Sequence, residues 1–175
     1  VSLNISFEEA FSGVEKRVTI RIPGKSEAET LTVKVPAGAV DGGRVRFRCK
    51  GAPGENGGEA GDLLITTKID PHPYFTRDGA DVLIDVPVSV AEAALGASVI
   101  VPAHDGTKVR VKVPAGTQNG KLLPIKGKGA TKVKGSGTGN LIITIQVVVP
   151  KNMNEGQREA MEAFLAATEG EIRSW

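Results

Sequence analysis

The sequence is organised around the stretch Val33-Lys-Val-Pro-Ala-Gly-Ala-Val-Asp-Gly-Gly-Arg-Val-Arg-Phe-Arg-Cys-Lys-Gly51, because a second copy follows it. The copy is Val111-Lys-Val-Pro-Ala-Gly-Thr-Gln-Asn-Gly-Lys-Leu-Leu-Pro-Ile-Lys-Gly-Lys-Gly129. Each has alternating valines, a Pro-Ala-Gly corner and an Asp-Gly or Asn-Gly turn before a basic stretch, which predicts two short strands joined by a turn. A repeated unit of this kind predicts repeated structure.

The repeat extends on both sides of this motif. Downstream, Gly61-Asp-Leu-Leu-Ile-Thr66 aligns with Gly139-Asn-Leu-Ile-Ile-Thr144. Upstream, Ile5-Ser-Phe-Glu-Glu-Ala-Phe-Ser-Gly13 aligns with Val88-Ser-Val-Ala-Glu-Ala-Ala-Leu-Gly96, and both contain a Ser-x-x-Glu capping box that predicts a short helix. Two copies of this length favour tandem domains over a solenoid, which needs shorter and more numerous units.

Composition predicts a mostly β protein built from two tandem small β-sandwich domains of similar topology, each with a short helix. Val, Ile, Gly and Pro are abundant and aromatic residues are few, which favours strands joined by turns. We expect the first β-domain at residues 1–73 and the second at 74–150. The segment 70–81 is read as a proline-stiffened connection between them.

Local patterns predict the main strands of the first domain. Apolar and polar residues alternate over Val14–Ile22 and again over Thr30–Val35, so these two strands are expected to form a hairpin or lie near each other. Leu63–Ile69 is expected to close the domain.

A helix is expected in the last segment, residues 151–175. Asn154 with Gln157 resembles a helix start, and Gly170 is expected to end the helix. Met161, Phe164 and Leu165 recur on one face and need an apolar partner. That partner is either the second domain of the same chain or a second copy, which would make a homodimer.

Several classes of partner are disfavoured. The formal charge is +2, and the basic loop from Lys121 to Lys134 has no interleaved aromatic ring, so nucleic acid is not expected. No stretch is long and apolar enough to span a membrane, and none resembles a secretory leader, so we expect a cytoplasmic protein. The single cysteine, Cys49, is interpreted as an inert packed thiol.

No pattern indicates an enzyme, a metal site or a cofactor. Gly38 and Gly43 have the spacing of a phosphate-binding loop but are not followed by Lys-Ser/Thr. His72 and His104 lack any spaced set of metal ligands, and both are interpreted as turn or solvent-exposed histidines.

Taken together, these stretches resemble the C-terminal client-binding region of the Hsp40 (DnaJ-type) co-chaperones. The resemblance is carried by Ile-Ser-Phe-Glu-Glu-Ala-Phe-x-Gly, Val-x-Val-Pro-Ala-Gly in both copies, Gly-Asp-Leu-Leu, His72-Pro-Tyr-Phe-Thr-Arg-Asp-Gly-Ala-Asp81 and Pro150-Lys-x-Met-Asn-Glu-x-Gln157. The His-Pro-Asp of the family's J domain is absent, since His72-Pro73 is followed by Tyr74. The family's cysteine-rich zinc module is also absent, and Pro23–Glu29 occupies its place, so the chain resembles the zinc-free class or a member whose module has been removed.

The resemblance implies a shallow apolar groove on the first domain that holds unfolded polypeptide, partly by adding a strand to a sheet edge. Its peptide-binding positions fall on Val18, Ile20, Leu31 and Phe75, with Phe47 as a nearby candidate. The alternative is that these residues form the ordinary core of a half-buried sheet.

The resemblance also implies a second partner. In the zinc-free class this domain holds the acidic tail of Hsp70, and the position falls on Lys16, with Arg17 beside it. Whether the two face the same way is left open, since neighbours in a strand point to opposite faces.

The sequence therefore favours a non-enzymatic module that holds unfolded clients for delivery to Hsp70, with homodimerisation through the final helix adding avidity. The alternative is a tandem β-sandwich that binds ligands or acts on carbohydrate. Such a protein would need aromatic platforms or paired carboxylates, and the single tryptophan, Trp175, gives that alternative little support.

Overall fold

A computed structural model describes residues 1–22, 24–48, 50–132 and 137–175, and it confirms a mostly β chain with a C-terminal helix. Cys49 and part of the basic loop 121–134 lie outside the described residues. The elements in chain order are β1 Ser2–Ile5, α1 Phe7–Ser12, β2 Val14–Arg21, β3 Ala28–Val35, β4 Arg44–Phe47, a short 3-10 helix Glu55–Gly57, β5 Leu63–Ile69, β6 Phe75–Asp78, β7 Asp81–Ser89, α2 Val90–Leu95, β8 Ala97–Pro102, β9 Lys108–Val113, β10 Leu122–Ile125, β11 Leu141–Val148 and α3 Glu155–Ala167.

The two repeats have the same strand arrangement. In the first, β1 pairs in parallel with β5, and β5 pairs antiparallel with β4. In the second, β7, β11 and β10 pair in the same order and sense. Each repeat also has a separate antiparallel hairpin, β2–β3 or β8–β9. The sequence repeat is therefore a repeat of topology.

One strand has no counterpart in the first repeat. Phe75–Asp78 forms β6 and pairs antiparallel with β7, so part of the segment expected to be a connection is the edge strand of the second sheet. The turn at Gly79 joins the two strands, and its φ of 61° suits a residue without a side chain. Pairing with β7 overrides the turn signal of the surrounding Pro and Gly residues.

The Pro-Ala-Gly motif packs against the end of each short helix. The Gly38 N–H donates to the carbonyl of Ala10 at 2.8 Å, and the Gly116 N–H donates to that of Ala94 at 3.1 Å. The helix-ending Gly13 has a φ of 77°, and a side chain there would lie 2.9 Å from the backbone nitrogen of Ala37. These contacts explain why the motif recurs: it is a structural corner shared by both repeats.

The two predicted capping boxes are present at the starts of α1 and α2. Ser6 Oγ accepts from the Glu9 N–H while the Glu9 carboxylate accepts from the Ser6 N–H, and Ser89 with Glu92 repeats this arrangement. Asn154 and Gln157 cap α3 in the same way. The prediction that Gly170 ends this helix is wrong, since α3 ends at Ala167 with Thr168 as its C-cap.

The buried side chains form two clusters. One contains first-repeat residues, among them Ile5, Val33 and Ile65. The other is built mainly from the second repeat, but Phe7 and Phe11 of α1 also belong to it. The division into domains at residues 1–73, 74–150 and 151–175 stays a prediction. The two clusters do not follow these bounds, since α1 of the first repeat contributes side chains to both.

No helix among the described residues is long and apolar enough to cross a lipid bilayer.

Candidate functional site

Four of the five predicted peptide-binding residues lie together around the β2–β3 hairpin. Val18 on β2 is directly opposite Leu31 on β3, and Ile20 follows on the same face of β2. Phe47 on β4 packs against the same cluster from the three-stranded sheet. We call Val18, Ile20, Leu31 and Phe47 the hairpin cluster.

The hairpin cluster is only partly accessible. Ile20 and Leu31 are buried, with 6% and 8% of their surface exposed, whereas Val18 and Phe47 are half-buried. The alternative interpretation, in which these residues form the ordinary core of a sheet, therefore applies to Ile20 and Leu31. Val18 and Phe47 offer the surface that a bound chain could contact directly.

Phe75 is not brought together with these four residues. It lies on β6 opposite Ile84 of β7 and belongs to the second cluster. Its ring is stacked with that of Phe7 at a centroid distance of 6.0 Å, and only 5% of its surface is exposed.

Lys16 and Arg17 face opposite sides of β2. Lys16 lies on the face of Val14 and Val18, where its Nζ is 3.0 Å from Glu9 Oε1 and donates to the Asn4 carbonyl at 3.3 Å. Arg17 is exposed on the outer face. The two cations therefore do not form one site, and an acidic ligand at Lys16 must compete with Glu9.

The Ser6 N–H and, next, the Lys16 ammonium hold the pKa of the Glu9 carboxyl below its ordinary value. Glu9 is consequently ionised at neutral pH and remains an effective partner for Lys16.

The three dimerisation candidates have different environments. Met161 is half-buried and lines a cleft of about 550 Å³ with residues of β7, the start of α2 and the segment after β11. Phe164 and Leu165 are 68% and 73% exposed. One side of α3 thus faces the second repeat, while two large apolar side chains are left in solvent.

A set of residues that the sequence analysis did not assign joins the two repeats. Phe7, Phe11, His72, Phe75, Arg77 and His104 meet there, and we call them the repeat junction. Beside it lies a cavity of about 330 Å³ whose lining includes Phe7, Ile69 and His72.

Arg77 is the cation of the repeat junction. Its guanidinium donates to the carbonyls of Ala39 and Gly38 on one side and of Gly79 on the other, and it lies 5.4 Å from the centre of the Phe11 ring. Burial lowers the pKa of Arg77 from its ordinary value.

Both histidines are in turns, as predicted, but both are half-buried rather than exposed. His72 Nδ1 accepts from the N–H groups of Tyr74 at 3.0 Å and Phe75 at 3.3 Å, while Nε2 lies 3.2 Å from Glu8 Oε1. His104 Nε2 is 3.1 Å from the Gly129 carbonyl. His72 lies three residues before Phe75, the first residue of β6, where its Nδ1 caps backbone N–H groups.

Within the described ranges, no group of three or more His, Cys, Asp or Glu side chains is arranged to hold a metal ion.

The fold defines a class of β-rich module with two repeats and a C-terminal helix. The sequence matches the family described as the DnaJ C terminal domain over residues 1–150. The chain therefore belongs to the DnaJ C-terminal domain family, and the resemblance stated from its motifs is confirmed.

Its relatives include chaperones from several bacteria. It is 46% identical over 144 residues to "Chaperone protein DnaJ 1" of Streptomyces avermitilis, a match that covers 82% of this chain and 36% of the relative. It is 47% identical over 139 residues to "Chaperone protein DnaJ" of Brucella melitensis biotype 1, covering 79% of this chain and 37% of the relative. The chain thus spans just over a third of the length of these relatives.

Family membership confirms the prediction of a non-enzymatic protein and removes the carbohydrate-active alternative.

Proposed function

We propose that this chain is the client-binding part of a DnaJ-type co-chaperone, which holds unfolded polypeptide at the hairpin cluster for delivery to Hsp70. The proposal rests chiefly on one observation. The half-buried Val18 and Phe47 lie at a hairpin whose outer edges have no β-partner among the described strands. We also propose a cytoplasmic location, as expected from the sequence.

The backbone supplies the sequence-tolerant part of such binding. The β2–β3 sheet has two strands, so among the described strands each has one edge without a β-partner. An extended chain can add to such an edge through backbone hydrogen bonds whatever its side chains are.

The side chains supply the preference for non-native clients. Val18 and Phe47 are half-buried at the margin of an apolar cluster, so a Leu, Ile or aromatic side chain of the client would remove further apolar surface from water. Ile20 and Leu31 lie beneath them and hold the hairpin against the sheet. Phe75 supports the second repeat in this proposal, since it packs in the other cluster.

We further propose that Lys16 contacts the acidic tail of Hsp70 after displacement of Glu9, and that Arg17 attracts the tail from the outer face. Homodimerisation is proposed to occur through Phe164 and Leu165 of α3, with Met161 holding the helix at the second repeat. Two arms would then bind one client with greater avidity.

The client site is tested by Val18→Ser combined with Phe47→Ser. We expect weaker binding of an apolar peptide and weaker suppression of aggregation of a denatured client, because both contact residues become polar. The matched control is Val99→Ser with Ile125→Ser, which changes two half-buried residues packed on the second cluster.

Equal losses in the two double variants would contradict the assignment to the hairpin cluster. Urea unfolding of each variant shows whether the protein remains folded under the assay conditions.

A further inference from the structure

The outer face of the β8–β9 hairpin carries a row of three cations. Lys108, Arg110 and Lys112 are exposed at alternate positions of β9. Alternate residues on a strand are about 7 Å apart, so the row extends for about 14 Å along one face.

No acidic residue of the described chain pairs with the row. Across the hairpin, Lys112 faces Ser98, Arg110 faces Ile100 and Lys108 faces Pro102. Within the part of the chain that the structure describes, none of the three cations forms a salt bridge.

The nearest acidic residue along the chain is occupied elsewhere. Asp105, in the turn between β8 and β9, accepts from the N–H of Thr107 at 3.0 Å and from its hydroxyl at 2.5 Å. Thr107, with a smaller contribution from Lys128, holds the pKa of Asp105 below its ordinary value.

Comparison of the two repeats shows that the shared fold does not require this row. By the alignment of the central motif, Lys108 and Arg110 correspond to Thr30 and Thr32, and Lys112 corresponds to Lys34. In the first repeat Lys34 lies opposite Glu15, which balances its charge. Two of the three cations are therefore specific to the second repeat. The third, Lys112, lies opposite Ser98 and not opposite a carboxylate.

The charge of the chain is concentrated in the same repeat. Residues 74–150 carry nine basic and five acidic residues, a net charge of +4, whereas residues 1–73 carry ten of each. The near-neutral total of +2 hides this asymmetry.

We propose that this face binds an extended polypeptide segment with carboxylates at alternate positions. Among the described strands β9 pairs only with β8, so its other edge can accept an extended chain. A strand added there would place every second side chain about 5 Å from a residue of β9 on the same face. Alternate Asp or Glu residues would then each meet one cation of the row.

The face fits a peptide better than a nucleic acid. The exposed apolar residue beside the row is Ile100, which is 61% exposed and faces Arg110. None of the outward residues of the described hairpin is aromatic. The exposed ring of Tyr74 borders Ile100 and Pro102, so a run of single-stranded bases would find one ring there rather than a series of stacking surfaces.

The experiment measures binding of a fluorescent peptide, Glu-Val-Glu-Val-Glu-Val, to the 175-residue chain. The comparison peptide, Glu-Glu-Glu-Val-Val-Val, has the same composition but lacks the alternation. We expect the alternating peptide to bind more tightly and Lys108→Thr with Arg110→Thr to weaken its binding about fivefold or more, as for the loss of two exposed ion pairs.

The threonine variant introduces the residues that the first repeat has at these positions, and threonine favours strands, so it should fold. The matched control is Arg44→Thr with Arg48→Thr, which removes the same charge from exposed positions of the first repeat and should leave the affinity unchanged.

Equal weakening in the control would overturn the proposal, because the binding would then depend only on net charge. Equal affinity for the two peptides would overturn the proposed alternation. Tighter binding of an oligothymidylate of matched charge than of the alternating peptide would assign the face to nucleic acid and overturn the peptide assignment.

Discussion

The ring of Phe11 stacks on the imidazole of His104, with ring centres 3.7 Å apart and planes inclined by 12°. Phe11 belongs to α1 of the first repeat, whereas His104 belongs to the turn between β8 and β9 of the second. The contact joins residues that are far apart in sequence, and Arg77 packs over the same Phe11 ring. The repeat junction is therefore held by ring contacts and by hydrogen bonds from one arginine.

We predict that Phe11 and His104 are energetically coupled. The variants Phe11→Leu and His104→Gln each remove one ring, and glutamine can still donate to the Gly129 carbonyl. Their coupling should be about 0.5–1.5 kcal/mol, the range for aromatic pairs beyond area burial. A double-mutant cycle on the free energy of unfolding in urea measures it.

Additive effects of the two changes, within about 0.3–0.5 kcal/mol, would show that the stacking contributes nothing beyond the separate packing of each ring.

A second prediction concerns His72, which we interpret as the cap of the turn that leads into β6. Its Nδ1 accepts two backbone N–H groups, and asparagine places its Oδ1 at a similar distance from the backbone. His72→Asn should therefore remain more stable than His72→Ala by roughly 1 kcal/mol, since both lose the ring but only alanine loses the acceptor. Urea unfolding of the two variants provides the comparison.

Hydrogen exchange at the Tyr74 and Phe75 amides gives an independent check. Protection should fall more in His72→Ala than in His72→Asn. Identical protection and stability in the two variants would mean that the ring contacts alone determine the role of His72.

The sequence predicted the features that depend on local periodicity. Alternation located β2 and β3, and Ser-x-x-Glu located both short helices. It did not predict β6, because Phe75–Asp78 becomes a strand only by pairing with β7. The family resemblance implied that Phe75 lies in the same groove as Val18, whereas Phe75 packs in the second cluster. Which side chains meet across the repeats depends on tertiary packing that local patterns do not encode. The stacking of Phe11 on His104 was missed for the same reason.

A third prediction tests Lys16 as a contact of the acidic tail of Hsp70. Glu9→Gln keeps the capping box, since glutamine at that position can still accept from the Ser6 N–H. It also frees Lys16 from its carboxylate partner. We expect binding of a peptide with the Hsp70 tail sequence to strengthen roughly two- to fivefold, the size of one exposed ion pair.

Fluorescence anisotropy in the Lys108→Thr, Arg110→Thr background measures this affinity without the proposed second acidic-peptide site. The further change Lys16→Met should abolish the gain. An affinity that does not respond to Glu9→Gln would contradict the placement of the tail at Lys16.

The last prediction concerns Phe164 and Leu165, the two exposed apolar residues of α3. If they are buried between two copies, Phe164→Ala with Leu165→Ala should weaken the dimer about ten-thousandfold, because a symmetric interface loses each side chain twice at roughly 1.5 kcal/mol. Alanine favours the helix, so α3 should be retained. The matched control is Leu95→Ala at the end of α2, which removes a side chain that is 81% exposed on the second repeat. Sedimentation equilibrium over a range of micromolar concentrations should show a dimer for the unaltered chain and the control, and a monomer for the double variant. A monomeric unaltered chain at high micromolar concentration, or an undiminished dimer in the double variant, would contradict dimerisation through this face of α3.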